Sequence, residues 1–280
     1  AARGGGAGAP GGVVLTGRDR ARVEAVAKAV GGDPGVEVVD VRDPSSLVGA
    51  IRRGDAVINC AGPFAELGEP VVARCVAAGA SYVDTTGEQP WMRTMWQRYD
   101  ERARAAGVAV VNGMAFEWAL GDCGAALLAP FETLDVAYAW GGAAASRGTR
   151  RTSLRIMATR GWELADGRWR RRAAGASVRR FTFADGRVRR AVTFGAGEVV
   201  TVPRWSKAAT VRGWLVMRER TARIARVLSP VLPALARVLR PVLEPVATRA
   251  GDPTDAERAA SRFTIRLEAQ TAAGPSKALE

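Results

Sequence analysis

The 280-residue chain contains no histidine. That removes imidazole metal ligands and every Ser-His or Cys-His catalytic arrangement. Cysteine is scarce: Cys60, Cys75 and Cys123 are scattered, odd in number, and set among apolar or small residues. They suit reduced thiols in a cytoplasmic protein and offer no metal-ligand spacing. Lysine is nearly absent, with 3 of the 41 basic residues, so positive charge is carried by arginine as a bias of the whole chain. No uninterrupted apolar run reaches the about 20 residues that a bilayer crossing needs. The Gly/Ala-rich amino terminus also lacks the apolar core and basic flank of a signal peptide. What is present, 48% hydrophobic and 25% charged residues, is the balance of a globular protein that can bury a core without disulfides. The length admits two domains.

Net charge is +13, but one segment carries the excess. Residues 147–226 hold 21 Lys+Arg against 5 Asp+Glu, whereas the rest holds 20 against 23. Nucleic acid, an anionic membrane surface or an acidic substrate would suit such a segment. The arginine bias favours the plainer reading, arginines on the exposed face of a sheet. Aromatics interleave with them (Trp162, Trp169, Phe181, Phe183), yet Asp-Gly turns account for those as strand residues, which speaks against nucleic acid.

The stretch from Gly54 to Glu88 organises the first half. Ala56–Ile58 is a short apolar run bounded by Asp55 and Gly62-Pro63, as a buried strand would be. Gly68–Ala80 places Val71, Val72, Cys75 and Val76 on one helical face, and Tyr82-Val83 begins a second strand. Strand, crossover helix and strand make a βαβ unit. The pattern extends both ways: strands at Val13–Thr16, Val36–Val41 and Val108–Val111, and helices at Arg20–Val30, Pro44–Arg53, Pro90–Ala106 and about Ala119–Ala129. This alternation predicts an α/β fold, a doubly wound parallel sheet, over residues 1–130. Gly4, Gly6 and Ala9 formally fit G-x-G-x-x-A, but no strand precedes them and a strand rather than a helix follows. Residues 1–12 therefore read as a loop.

After Pro130 the grammar changes. Asp166-Gly167 and Asp185-Gly186 each sit between β-prone flanks and predict hairpins. With Leu134–Trp140, Val199–Val202 and Phe263–Leu267 they predict an antiparallel sheet in a second, α+β domain over 131–280. Within it, 221–248 is an apolar helical stretch whose Pro230, Pro233, Pro241 and Pro245 should split it into short pieces. Arg223, Arg226, Arg237 and Arg240 line another face. Packing under the sheet is one fate of this stretch; contact with a membrane surface or a dimer partner is the other.

In open α/β sheets, ligands bind outside the carboxyl ends of the strands. Those ends supply the candidate site. Thr16-Gly17-Arg18 closes the strand where a dinucleotide's adenosine ribose would lie, and an arginine there suits a 2′-phosphate, favouring NADP over NAD. Asp43 is the expected neighbour of the adenine. Asn59-Cys60-Ala61-Gly62-Pro63 would pass beside the cofactor, where small residues permit close approach. Glu88 and Asp122 are the acids expected nearest a nicotinamide, with Asp84 behind them. Capping of a turn or a helix start is the commoner fate of such acids. Tyr82 and Tyr99 are proton-donor candidates that could equally be core.

The succession Thr-Gly-Arg-Asp, Val-Asp-Val-Arg-Asp, Asp-Ala-Val-Ile-Asn-Cys-Ala-Gly-Pro-Phe, Gly-Glu-Pro-Val-Val-Ala-Arg-Cys and Tyr-Val-Asp-Thr-Thr-Gly-Glu resembles the saccharopine dehydrogenase-like oxidoreductases, a group that includes trans-acting enoyl reductases. Phe116–Leu127, Ser146-Arg147-Gly148-Thr149 and Pro203-Arg204 extend the resemblance. It implies a Rossmann domain with an α+β domain, and NADP as cofactor. Family members begin with a strand and a Gly-Ala-Thr-Gly-like turn that this sequence lacks, and they continue where Ala269–Glu280 stops, so the chain reads as clipped at both ends. With the central strand missing, its neighbours' backbone groups need new partners, at about 1–3 kcal/mol for each bond unmade, and NADP binding is expected to be weak or lost. The functional reading is an NADP-linked oxidoreductase acting on a carbon–carbon or carbon–nitrogen double bond of a small or lipid-like substrate. The alternative is a non-catalytic membrane- or lipid-associated adaptor on a vestigial cofactor fold.

Overall fold

The computed structural model describes residues 2–4, 12–141, 145–249, 251–271 and 274–280, with backbone alone for Ala2–Gly4 and Thr248; Gly6 and Ala9 lie outside the described residues. The chain divides into two units, Ala1–Ala115 and Phe116–Glu280. The division falls ahead of the change in pattern after Pro130, because the helix that opens at Phe116 packs with strands of the second unit.

In the first unit, short apolar runs closed by Gly, Pro and Asp form strands that alternate with helices. The elements are β1 (Ala2–Gly4), β2 (Val14–Gly17), α1 (Arg20–Val30), β3 (Gly35–Val38), α2 (Pro44–Ala50), β4 (Ala56–Asn59), α3 (Phe64–Ala78), β5 (Ser81–Asp84), α4 (Gln89–Ala106) and β6 (Val110–Val111). Strands β2 and β3 pair parallel, as do β4 with β5 and β5 with β6. The sheet order is β3-β2-β1-β4-β5-β6.

Strand β1 corrects the reading of the first residues as a loop. It runs antiparallel to both neighbours, with Ala2 opposite Leu15 and Ile58, and Arg3 opposite Val14 and Val57. The slot between β2 and β4 presents backbone amides and carbonyls from both sides, and an extended segment there satisfies them. Since β1 opposes both neighbours, β2 and β4 run the same way. All five parallel strands therefore end at one edge.

One face of this sheet is covered by α2, α3 and α4. Leu47, Ile51, Val71, Val72, Cys75, Trp91 and Met95 pack there with Val57 and Tyr82. Each such side chain contributes roughly 1.5–3 kcal/mol by leaving water. The two-residue period of β4 sends Val57 and Asn59 inward and leaves Ala56 and Ile58 exposed. Helices α3 and α4 approach closely at Gly68, where a Cβ would lie 2.5 Å from the Trp91 ring.

The second unit contains α5 (Phe116–Leu128), β7 (Thr133–Gly141), α6 (Arg147–Met157), β8 (Gly161–Ala165), β9 (Arg168–Arg172), β10 (Val178–Thr182), β11 (Val188–Phe194), α7 (Glu198–Trp205), β12 (Thr210–Val216), α8 (Glu219–Leu228), α9 (Leu232–Arg249), α10 (Asp255–Ala260), β13 (Arg262–Gln270) and β14 (Lys277–Leu279). Both Asp-Gly hairpins form, β8 with β9 and β10 with β11. Asp166 and Gly167 both have positive φ, 52° and 71°, as the tightest hairpin turn requires. The sheet is mixed rather than antiparallel, because β12 and β7 pair parallel. Val199–Val202 is not a strand: it lies in α7, which buries Val199, Val200 and Val202.

The path β10-β11-β12-β7-β13-β14 curls on itself. Arg179 of β10 reaches Asp135 of β7 and, at 2.7 Å, Glu268 of β13. The Ala184 amide donates to Glu280 at 2.7 Å. A flat sheet with strands about 4.8 Å apart would keep these groups out of reach. Phe181, Phe183, Ala137, Ala191 and Trp214 form an apolar cluster on these strands. Asp135 is buried beside it and also accepts from Arg212 Nε at 2.8 Å and Trp214 Nε1 at 2.7 Å. Several arginines of the basic segment are thus paired within the sheet.

The prolines of 221–248 do less than expected. The chain breaks at 229–231, but α9 continues through Pro241 and Pro245. Both prolines are exposed, so the strain and the lost helix hydrogen bonds sit toward water.

Candidate functional site

The carboxyl edge of the first sheet gathers Gly17, Val38, Asn59, Asp84 and Val111 from its five parallel strands. The register across β1 aligns Leu15 with Ile58, so Arg18 and Asn59 emerge at the same end. This is the geometry that a shared pocket requires.

Asp84, at the end of β5, is the centre of that edge. It is fully buried. Its Oδ2 accepts from Tyr82 Oη at 2.9 Å, Trp91 Nε1 at 3.0 Å and Asn112 Nδ2 at 2.7 Å. Its Oδ1 accepts from the amides of Thr86 at 3.1 Å and Gly113 at 2.8 Å. Asn59 Nδ2 donates to Tyr82 Oη at 3.1 Å, and Asn59 Oδ1 accepts from the Ala61 amide at 3.0 Å. One buried network therefore ties β4, β5, α4 and the loop after β6. Burial, and then Asp84, push the Tyr82 phenol well above its ordinary value, so it keeps its proton and serves as a strut. Tyr99 packs against α3 instead, donating to Glu69 at 3.3 Å, and burial raises it too.

This network holds up a small-residue lip. Pro63 is buried, whereas Cys60 and Gly62 are exposed and Ala61 is half-buried. Cys75 is a different kind of thiol: burial pushes it up to about 12, so it is inert packing.

Four helices begin along this edge, and the first turns of α1, α2 and α3 each meet a carboxylate. Asp19 accepts from the Arg22 amide at 3.2 Å and caps α1. Asp43 accepts from the Ser45 amide at 2.9 Å and its hydroxyl at 2.7 Å, and caps α2. Glu88 accepts from the amides of Phe64 at 2.8 Å and Ala65 at 3.2 Å, and serves the start of α3, whose own N-cap is Pro63. Asp43 and Glu88 thus hold helix ends, the alternative fate for acids at such positions.

Arg18 is exposed and makes no hydrogen bond or ion pair with any described residue. Nearby, Arg42 Nη2 pairs with Asp40 at 2.7 Å. The Arg42 hydrogen bonds bring Asp40 down to about 2, and Arg18 adds to the same field. Arg42 is therefore committed and Arg18 is available.

Asp122 lies in the other unit, on α5, and accepts from Thr201 Oγ1 at 2.7 Å and Trp205 Nε1 at 3.4 Å. Glu88 belongs to the first unit and Asp122 to the second. Beside Asp122 is a group that sequence reasoning missed. Glu198 of α7 is fully buried, accepts from the Tyr138 hydroxyl, and its Oε2 has no partner among the described residues. It sits against Gly121, where any Cβ would overlap its carboxyl. Burial pushes Glu198 up to about 8, a neutral acid at physiological pH. No motif marks it; the one signal was a lone acid ahead of an apolar run.

Residues 8–111 match the family model of the saccharopine dehydrogenase NADP binding domain. Most of the amino-terminal unit is thus similar to that domain. A saccharopine dehydrogenase-like oxidoreductase of Bos taurus is 29% identical over 106 residues, covering 38% of this chain and 25% of the relative. A Mycobacterium tuberculosis protein named as a trans-acting enoyl reductase is 34% identical over 108 residues, covering 38% of this chain and 26% of the relative. The chain thus spans about a quarter of the length of these curated relatives. Among solved structures, apo saccharopine dehydrogenase (L-Glu forming) from Saccharomyces cerevisiae covers 95% of this chain and 78% of its own, with a TM-score of 0.56 and 12% identity. At that identity the likeness is one of fold.

The edge of this saccharopine dehydrogenase-type domain suits an NADP at its ribose-phosphate end. Arg18 offers an uncommitted planar fork to phosphate oxygens, and the lip at Cys60–Gly62 admits close approach. The helix starts suit it less: a phosphate placed at α1, α2 or α3 would face Asp19, Asp43 or Glu88.

Proposed function

We propose that the chain is an NADP-linked oxidoreductase of the saccharopine dehydrogenase-like type whose cofactor lies along the carboxyl edge of β2–β6. The observation that carries the reading is Arg18, uncommitted and at the same edge as Asn59 and the exposed lip. Arg18 holds the 2′-phosphate by charge-assisted hydrogen bonds. Thr16 and Gly17 bring the chain to that point, and Asn59 through Pro63 lie along the cofactor. The Asp84 network keeps the lip rigid, as a positioned ligand requires. Affinity is expected to be low, because the carboxylate-capped starts of α1, α2 and α3 leave phosphate recognition mainly to the guanidinium.

When bound, NADPH supplies a hydride; the protein's part is position and polarity. We favour a carbon–carbon double bond of a lipid-like enoyl substrate as acceptor, supported by the name of the mycobacterial relative. The test is to follow nicotinamide absorbance with NADPH and an α,β-unsaturated acyl thioester. Oxidation that depends on the thioester, and is faster with NADPH than with NADH, is the expected result. No oxidation with enoyl or imine acceptors, despite cofactor binding, contradicts the catalytic part of the proposal.

A further inference from the structure

Helices α8 and α9 are built inside out. Toward the protein they turn small residues and their acids: Ala222 and Ala236 are buried, and Glu244 pairs with Arg151 and, at 3.3 Å, with Arg240. Arg150 of α6 closes the seam by donating to the Ala247 carbonyl at 2.6 Å. Away from the protein they turn aliphatics. Ile224, Val227, Val231, Val238, Val242 and Val246 recur at helical spacing and are 54–76% exposed. A surface helix that merely packs has the reverse arrangement, and a contiguous apolar stripe of this length marks an interaction surface.

The charges around the stripe identify its partner. Residues 219–249 contain six arginines and two acids. Both acids are already paired, Glu219 with Arg190 at 2.8 Å and Arg223 at 2.9 Å, and Glu244 as above. Arg220, four residues before Ile224, and Arg249, three after Val246, share the aliphatics' side of their helices and make no ion pair with any described residue. A second copy of this face would offer these arginines no acid. Anionic headgroups would, while acyl chains receive the valines and the arginine stems extend outward. No described helix is long and apolar enough to cross a membrane.

We infer that α8 and α9 lie on the surface of an anionic lipid membrane, aliphatic stripe inward and terminal arginines at the headgroups. This goes beyond the oxidoreductase reading and does not depend on it. The test is co-sedimentation of the full chain with vesicles of phosphatidylcholine alone or mixed with phosphatidylglycerol, at low and high salt. Binding should be at least tenfold stronger to the mixed vesicles and weaken with salt. Val227→Glu with Val238→Glu should lower it at least tenfold, whereas Val188→Glu, also exposed but on β11, should not. Binding that is absent, insensitive to lipid charge, or unchanged in the double variant overturns the inference. So does a dimer, seen by analytical ultracentrifugation, that the double variant dissociates. All these positions are solvent-exposed, and circular dichroism confirms that each variant is folded.

Discussion

The Glu88 carboxylate reaches the start of α3, its Oε1 2.8 Å from the Phe64 amide. An acid that looks chemical in the sequence is thus a helix cap supplied from a different element. Glu88→Ala should cost about 1–3 kcal/mol, the range for a lost cap and for hydrogen bonds to a charged acceptor. Glu88→Gln, which keeps one acceptor, should cost less. Urea unfolding of both variants checks this. Unchanged stability with abolished turnover would return Glu88 to the chemistry.

Asp84 should be the least replaceable acid of the first unit. Its two oxygens accept from five donors contributed by β5, α4 and the loops beside them. Asp84→Ala strands those donors in the interior and should cost about 3–5 kcal/mol. Tyr82→Phe removes a single link and should cost about 1 kcal/mol. Equal midpoints for the two variants in denaturant would contradict the network.

Glu198 should make stability fall as pH rises. Its folded value, about 8, lies above the ordinary 4.5. Between those values the folded chain retains a proton that the unfolded chain has released. The stabilisation is therefore complete below about pH 4.5 and is lost as pH rises through about 8. Glu198→Gln removes the slope and should gain several kcal/mol at the alkaline end, about 5 at most. Parallel stability–pH profiles for the two proteins would contradict this.

The carboxyl edge was legible because its logic is local. Gly17, Asn59 and Asp84 each follow a short apolar run, and a parallel sheet must bring such ends together. The cap at Glu88 was not, since its partners Phe64 and Ala65 belong to another helix. Strand β1 has almost no side-chain signal; it exists because β2 and β4 leave a slot between them. Val199–Val202 has the β-branched composition of a strand, yet α7 buries three of its valines on a helix. The strand belongs to Thr210–Val216, where Arg212 interrupts the apolar run and is accommodated by buried Asp135. Pro241 and Pro245 suggest breaks, but on an exposed face a helix absorbs them.

The central claim is that Arg18 selects a 2′-phosphorylated nicotinamide cofactor on the carboxyl edge. Isothermal titration of the chain and of Arg18→Ala with NADPH and NADH tests it most directly. The account predicts binding to NADPH about tenfold or more tighter than to NADH, a difference of about 1.4 kcal/mol, and its loss in the variant. Equal affinity for the two cofactors, or a preference that survives in Arg18→Ala, would contradict it.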